Sequence, residues 1–143
     1  MYFGPEGMAR LRAATVAVFG LGGVGSHAAS ALIRNGVGGL RLVDFDTVTL
    51  STLNRHALAT PADVGRPKVD VVAEGLARIN PAARIEGRQM FFADDTRAEL
   101  LDSSLSFVVD AIDSVGPKVE LLKACVELRL PVISCLGAAG RIQ

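Results

Sequence analysis

Tryptophan is absent from this 143-residue chain, tyrosine occurs once and cysteine only twice. The two cysteines, Cys125 and Cys135, have no C-x-x-C spacing, which argues against a disulfide scaffold and a structural zinc site and suits reduced thiols. Net charge is missing too: 15 Lys and Arg stand against 15 Asp and Glu. No broad electrostatic field therefore gathers phosphate backbones, and any nucleic-acid contact is local or made by segments outside this chain. No apolar run approaches the roughly 18 residues needed to span a bilayer, and the N-terminal MYFGPEGMARLRAATV lacks the apolar region of a signal peptide. These absences predict a cytoplasmic domain, with membrane association left to segments not in this chain. Internal repeats, linkers and low-complexity tracts are also lacking.

What is present is apolar. Half of the residues are hydrophobic, enough for one domain that buries roughly two thirds of its unfolded surface. Short β-branched runs alternate with helical patterns. Strands are predicted at 15–20, 40–45, 84–90, 105–110 and 132–135, and helices at 23–35, 67–79, 94–102 and 117–129. The second strand shows almost no polar alternation, as a parallel strand covered on both faces should. The third alternates and belongs nearer an edge. Residues 47–65 form a long irregular connection with one or two short helical turns, and a connection of that length is usually functional. Strand and helix alternating in this way predict an α/β fold, a doubly wound and mainly parallel sheet with ligands at the C-terminal strand ends. One domain is expected over residues 1–143, truncated at its C-terminal end, because the chain stops just after GAAGRIQ.

Those strand ends carry the chemistry. Gly20, Gly22 and Gly25, with an extra Gly23, give G-x-G-x-x-G between a strand and a helix. The first glycine serves a tight turn, the second lets backbone approach phosphate oxygens, and the third lets helix pack on strand. Free N–H groups at the helix start favour an anion, and Asp44, 19 residues after Gly25, can accept hydrogen bonds from ribose hydroxyls. Ribose and phosphates look alike in NAD and ATP, so the glycine loop does not choose between them. Arg55 and Lys68 lie in and just beyond the long connection. A lysine in the first turn of a helix is opposed by the helix dipole by up to about 1 kcal/mol, so a compensating anion is expected, and polyphosphate fits. In VVDAIDSVGPK, Asp110 and Asp113 follow a hydrophobic strand, where a carboxylate could hold phosphate-bound magnesium. Together these residues favour phosphoryl or nucleotidyl transfer over hydride transfer, which leaves an NAD dehydrogenase as the least favoured reading. His27 reads as a packing or surface residue. Cys125 reads as core, and Cys135, at a ligand-facing strand end, keeps a catalytic or persulfide role only as a minor alternative.

The segments GLGGVG, LVDFDTV, LNRHALATPADVGRPKVDVV, INP and VVDAIDSVGPK resemble the ThiF/MoeB/ubiquitin-activating superfamily of adenylating enzymes, over a stretch running from about residue 4 to the end. DAIDSVGPKVELLKAC and GAAGRI are most similar to its branch that dehydrates threonylcarbamoyladenosine in tRNA. The resemblance implies a Rossmann-like, ThiF-type ATP-binding domain. It implies ATP over Gly20, Gly22, Gly23 and Gly25, ribose on Asp44, phosphates on Arg55 and Lys68, and Mg²⁺ on Asp113. By the same resemblance Arg55, Lys68 and Asp113 are the catalytic set. The implied reaction adenylates a carboxylate, here the threonylcarbamoyl side chain beside the tRNA anticodon, and ring closure then expels AMP with net loss of one water.

Departures from the pattern leave other readings open. Thr52 stands where the superfamily frequently has Asn, so a contact is weakened or taken over by Asn54. The arginine that a partner's N-terminus commonly supplies is not evident, because Arg10 and Arg12 lie too close to the first strand. Activation of a ubiquitin-like or sulfur-carrier protein is the second reading, disfavoured by the lack of zinc-type cysteine pairs. The third is an inactive nucleotide-binding subunit that serves dimerisation. The superfamily implies a homodimer, with the apolar helices around AASALI and VVAEGLARI facing either the monomer core or a two-fold interface.

Overall fold

The computed structural model describes residues 2–136. The terminal GAAGRIQ segment, which carries part of the sequence resemblance, lies outside them. In chain order the elements are α1 (Gly4–Ala13), β1 (Thr15–Phe19), α2 (Gly23–Arg34), β2 (Gly39–Val43), α3 (Lys68–Ile79), β3 (Arg84–Arg88), α4 (Arg97–Leu100), β4 (Phe107–Asp110), α5 (Val115–Glu127) and β5 (Val132–Ser134). Short 3₁₀ turns at Leu50–Thr52 and Pro61–Asp63 interrupt the connection between β2 and α3.

The five strands form one parallel sheet in the order β3-β2-β1-β4-β5. Strand β3 is an edge, as its alternation predicts. The order reverses between β1 and β4, and the crevice beyond the carboxyl ends of those strands is where an open α/β sheet binds ligands.

Alternation along β1 sends Val16 and Val18 to one face and Ala17 and Phe19 to the other. The first pair joins Leu40, Leu42, Ala29, Ile33, Val72 and Leu76 in a core under α2 and α3. The second joins Val43, Val108, Leu100, Leu121 and Cys125 in a core on the opposite face. The helices around AASALI and VVAEGLARI therefore pack on the sheet and each other. The apolar side chains left exposed at the far edge are those of α5 and β5, among them Val126 and Ile133.

Arg41 is the one charge inside the otherwise apolar β2. It is 6% exposed and sits opposite Glu86 of β3 in the sheet register. Its guanidinium donates to Glu86 (2.6 Å), to Asp102 (2.9 Å) and to the Leu100 carbonyl (3.1 Å).

Two helices differ from the sequence expectation. The helix predicted over 94–102 is only Arg97–Leu100. The Thr96 hydroxyl accepts the Ala93 N–H (2.9 Å) and donates to the Phe91 carbonyl (2.7 Å), while Asp102 is drawn to Arg41 and Ser104, so non-helical bonds take both ends. Helix α1 has no predicted counterpart: it buries none of its residues and shows little apolar periodicity.

Candidate functional site

Two backbone hydrogen bonds shape the switch point. The Gly20 N–H donates to the Val43 carbonyl (2.8 Å) and the Ala111 N–H to the Phe19 carbonyl (2.8 Å), so the loops after β1 and β4 leave the sheet side by side. Gly20 takes the left-handed φ of +87°, and a β-carbon there would come within 2.5 Å of the Ala111 carbonyl oxygen. A β-carbon on Gly25 would lie 1.6 Å from the Gly20 carbonyl oxygen. The first and third glycines are therefore required by the fold itself. Gly22 is different: a β-carbon there would meet nothing within 4 Å. Its bareness opens the loop toward the cavity.

That cavity, of about 850 Å³, lies over the carboxyl ends of β1, β2 and β4. Its wall includes Gly20, Gly22, Gly23, Asp44, Arg55, Lys68 and Asp113. Gly25 and Asn54 are not on it. Gly25 is buried beneath the loop, and the Asn54 side-chain oxygen accepts a hydrogen bond from the Arg55 guanidinium (3.3 Å).

The Asp44 carboxylate accepts the N–H of Leu21 (2.7 Å) and of Asp46 (2.7 Å), which ties the end of β2 to the glycine loop. Burial pushes its pKa up, against the pull of those two donors and of the nearby Lys68 charge. The connection after β2 closes on itself. Thr47 bridges Pro67, Val48 N–H donates to the Arg66 carbonyl (2.8 Å), and Lys68 N–H donates to the Asp46 carbonyl (3.0 Å). The loop's two ends thus meet at the cavity, and Lys68 enters it as the first residue of α3.

Lys68 is 8% exposed, and its ammonium makes no hydrogen bond or ion pair among the described residues. Arg55 lays its stem over the start of α2, its Cδ 3.3 Å from where a Gly23 β-carbon would stand. Its guanidinium donates to the Ser51 carbonyl (2.7 Å) and pairs with no carboxylate among the described residues. Beneath them, the His56 Nδ1 accepts the N–H of Leu58 (3.0 Å) and Ala59 (2.9 Å), which places its proton on Nε2. Burial, then the Lys68 charge, holds its pKa below the usual histidine range. Thr52 is buried and spent on the capping of its own 3₁₀ turn through Thr49 (3.2 Å and 3.0 Å). Arg10 and Arg12 sit on α1, outside the cavity wall.

The two aspartates after β4 separate. Asp113 is an exposed carboxylate on the cavity wall with no hydrogen-bond partner among the described residues. Asp110 is fully buried and receives Lys118 Nζ (2.6 Å), Ser134 Oγ (2.6 Å) and the Ile112 N–H (3.0 Å). Fully buried, with both oxygens already bonded and its charge paired with Lys118, it is unsuited to a metal in the cavity. Among the described residues no three His, Cys, Asp or Glu side chains converge to hold a metal ion. No described helix is long and apolar enough to cross a membrane. Cys125 is buried, and burial raises its thiol pKa.

Sequence reasoning missed Lys118 and Ser134, and also the stacked Phe45 and Phe91 rings (centroids 4.3 Å apart, 17° between planes) that stand half-exposed on the same wall. For Lys118 a signal existed: Pro-Lys-Val occurs at 67–69 and again at 117–119. The phenylalanines left none, because DFD and MFF read as strand ends.

Comparison with known proteins agrees with the fold. The ThiF family matches residues 1–143. The tRNA threonylcarbamoyladenosine dehydratase of Bacillus subtilis is 43% identical over 138 residues, 96% of this chain and 54% of that protein. The molybdopterin-synthase adenylyltransferase of Salmonella typhimurium is 41% identical over 138 residues, again 96% and 54%. The crystal structure of the Escherichia coli tRNA N6-threonylcarbamoyladenosine dehydratase in complex with ATP superimposes with a TM-score of 0.93 at 37% identity, covering 99% of this chain and 58% of that one; the same protein has been crystallised with AMP. This chain spans about half the length of the curated relatives it matches. It belongs to the ThiF family.

Proposed function

We propose that this ThiF-family chain is the nucleotide-binding part of an enzyme that uses ATP to adenylate a carboxylate, and that the acid is the threonylcarbamoyl group of a modified adenosine in tRNA. One observation carries the reading: Arg55 and the largely buried Lys68, neither with a carboxylate partner, share a cavity wall with a glycine loop and Asp44. The exposed Arg55 guanidinium adds positive charge on the cavity wall, and the largely buried Lys68 ammonium on the same wall favours an anion there. A triphosphate whose ribose rests on Asp44 supplies it.

In this reading Asp44 accepts the ribose hydroxyls, and the N–H groups at the start of α2 face phosphate oxygens across Gly22. The carboxylate oxygen attacks the α-phosphorus and the bond to pyrophosphate breaks. Lys68 and Arg55 meet the charge that grows on the leaving group. Ring closure on the acyl adenylate then expels AMP. Asp113 would hold Mg²⁺, which screens the phosphates when bound. The donor set fits, since magnesium takes one or two carboxylates and completes its shell with phosphates and water. The substrate-reading residues and a homodimeric partner's contribution belong to the whole protein, and tRNA reaches the site mainly through segments outside this chain.

Full-length protein given ATP and tRNA carrying threonylcarbamoyladenosine should release AMP and pyrophosphate and convert the nucleoside to a form lighter by one water, read by mass spectrometry. Unchanged nucleoside, together with pyrophosphate exchange stimulated by a protein ending in Gly-Gly, would instead select activation of a sulfur-carrier or ubiquitin-like protein. The likeness to molybdopterin-synthase adenylyltransferase supports that second reading.

A further inference from the structure

Lys118 is nearly as buried as any charge in the molecule, at 6% exposed, and the mechanism above does not use it. An ammonium has three donors. Those of Lys118 face Asp110 Oδ2 (2.6 Å), the Cys135 carbonyl (2.8 Å) and, more distantly, Ser134 Oγ (3.4 Å). None is left for a ligand. Lys118 is on the cavity wall, yet its charge is turned to Asp110 and the end of β5.

The groups it holds together come from three segments. Asp110 ends β4, Lys118 lies one turn into α5, and Ser134 and Cys135 end β5. Asp110 is bonded on both oxygens: Oδ2 takes Lys118 and the Ser134 hydroxyl, and Oδ1 takes the Ile112 N–H. The Cys135 N–H returns to the Asp110 carbonyl (2.8 Å). The short loop that carries Asp113 therefore runs between two points of one clamp, the Ile112 N–H at its start and the Lys118 helix turn at its end. Nothing else among the described residues bonds the Asp113 side chain. Its placement comes from the backbone, and the backbone is set by the clamp.

We infer that Lys118, with Asp110 and Ser134, is a positioning unit that fixes the exposed Asp113 carboxylate where a magnesium-bound triphosphate needs it, without touching nucleotide or metal. The inference rests on the proposed reading of Asp113 as the metal-holding acid. It separates two kinds of damage. Ala111 is held independently by its N–H on the Phe19 carbonyl, so breaking the clamp frees the loop from Ile112 outward and leaves the floor under the glycine loop in place. Binding that needs magnesium should suffer, and binding that does not should survive.

The test is calorimetry on the full-length protein, with ATP titrated at rising Mg²⁺ and AMP titrated without it. Lys118→Met and the milder Ser134→Ala are compared with the parent and Asp113→Asn, and circular dichroism checks each fold. We expect the Mg²⁺ concentration for half-maximal tightening of ATP to rise roughly tenfold in Lys118→Met, since the outer groups of a metal site typically set 10–100-fold in affinity. Ser134→Ala should show a smaller rise in the same direction, and AMP affinity should stay within about twofold in both. Should Lys118→Met fail to fold, Ser134→Ala decides alone. Equal weakening of ATP and AMP would mark the clamp as a general structural support, and an unchanged Mg²⁺ dependence would show that it does not place Asp113. Either overturns the inference. If the parent binds ATP with no Mg²⁺ dependence, or Asp113→Asn keeps it intact, the reading of Asp113 itself falls and takes this inference with it.

Discussion

Lys68 and Lys118 each follow a proline and precede a valine, lie on the wall of one cavity, and are 8% and 6% exposed. Yet Lys118 closes three bonds to its own chain and Lys68 closes none among the described residues. Helix register makes the difference. Helix α3 begins at Lys68, so the side chain leaves the first turn at the mouth of the loop, beside Asp44 but not bonded to it. Helix α5 begins two residues before its proline, at Val115, which a proline in the first turn allows. That shift sets Lys118 above the end of β4, where Asp110 waits. The same three letters thus yield one cation that completes the fold and one left without a bonded partner among the described residues.

The sharpest way to break this contrast is to make both lysines neutral. Lys118→Met should leave Asp110 buried and uncompensated and cost about 3 to 5 kcal/mol in denaturant unfolding. Lys68→Met should leave stability unchanged or raise it slightly without nucleotide, because it removes a poorly solvated charge. Equal losses in both would erase the distinction between them.

The glycines give the next largest effect, and the same contrast of fold against ligand. Gly25→Ala forces a β-carbon to within 1.6 Å of the Gly20 carbonyl oxygen, so about 3 kcal/mol or more of stability should be lost as the loop shifts. Gly22→Ala meets open space in the protein and should change stability by less than about 1 kcal/mol. It should nonetheless weaken ATP binding if the proposed reading holds, because the added methyl would project into the cavity that the reading gives to the phosphates.

A smaller effect distinguishes the acid from the cations. Burial holds the Asp44 pKa above its ordinary value of 3.8, so its folded form prefers the proton more than the unfolded chain does. Its contribution to stability is therefore greatest below the ordinary value and is lost as pH rises through the raised one. The proposed ribose contact has the opposite preference, since the ionised carboxylate is the stronger acceptor for hydroxyls. ATP affinity should fall on acidification while Asp44 is still above its ordinary range, and in Asp44→Asn that acid limb should vanish from the affinity profile.

Much of the sheet was legible in the sequence because β1, β2 and β4 are largely apolar runs that end at a glycine or an aspartate, whereas β3 (RIEGR) was legible only through its alternation. The glycine loop, Asp44 and Asp113 could be singled out because strand ends are where an open α/β sheet exposes chemistry, and Arg55 and Lys68 because they flank a long connection and one is a cation in a helix's first turn. What could not be read was which charges are already spent. Arg41 finds its partners on β3 and in the turn after α4, 45 and 61 residues away, which no local pattern announces. Spacing alone left Asp110 and Asp113 both open, and only the resemblance chose Asp113; the lysine and serine facing Asp110 give the physical difference between them. Asn54, expected to contact the nucleotide, lies off the cavity wall with its side-chain oxygen turned to Arg55, a placement that spacing does not reveal. Pairing of this kind is decided by tertiary geometry. Local spacing does not carry it.

The most direct test is a calorimetric comparison of ATP and AMP binding to the full-length protein and its Lys68→Met variant. The account predicts that the variant loses ATP affinity by about 100-fold, the scale on which a buried, charge-assisted contact acts, while AMP affinity and thermal stability stay nearly unchanged. Full ATP affinity in Lys68→Met, or loss of ATP and AMP alike, would contradict the claim that this unpaired ammonium awaits a triphosphate.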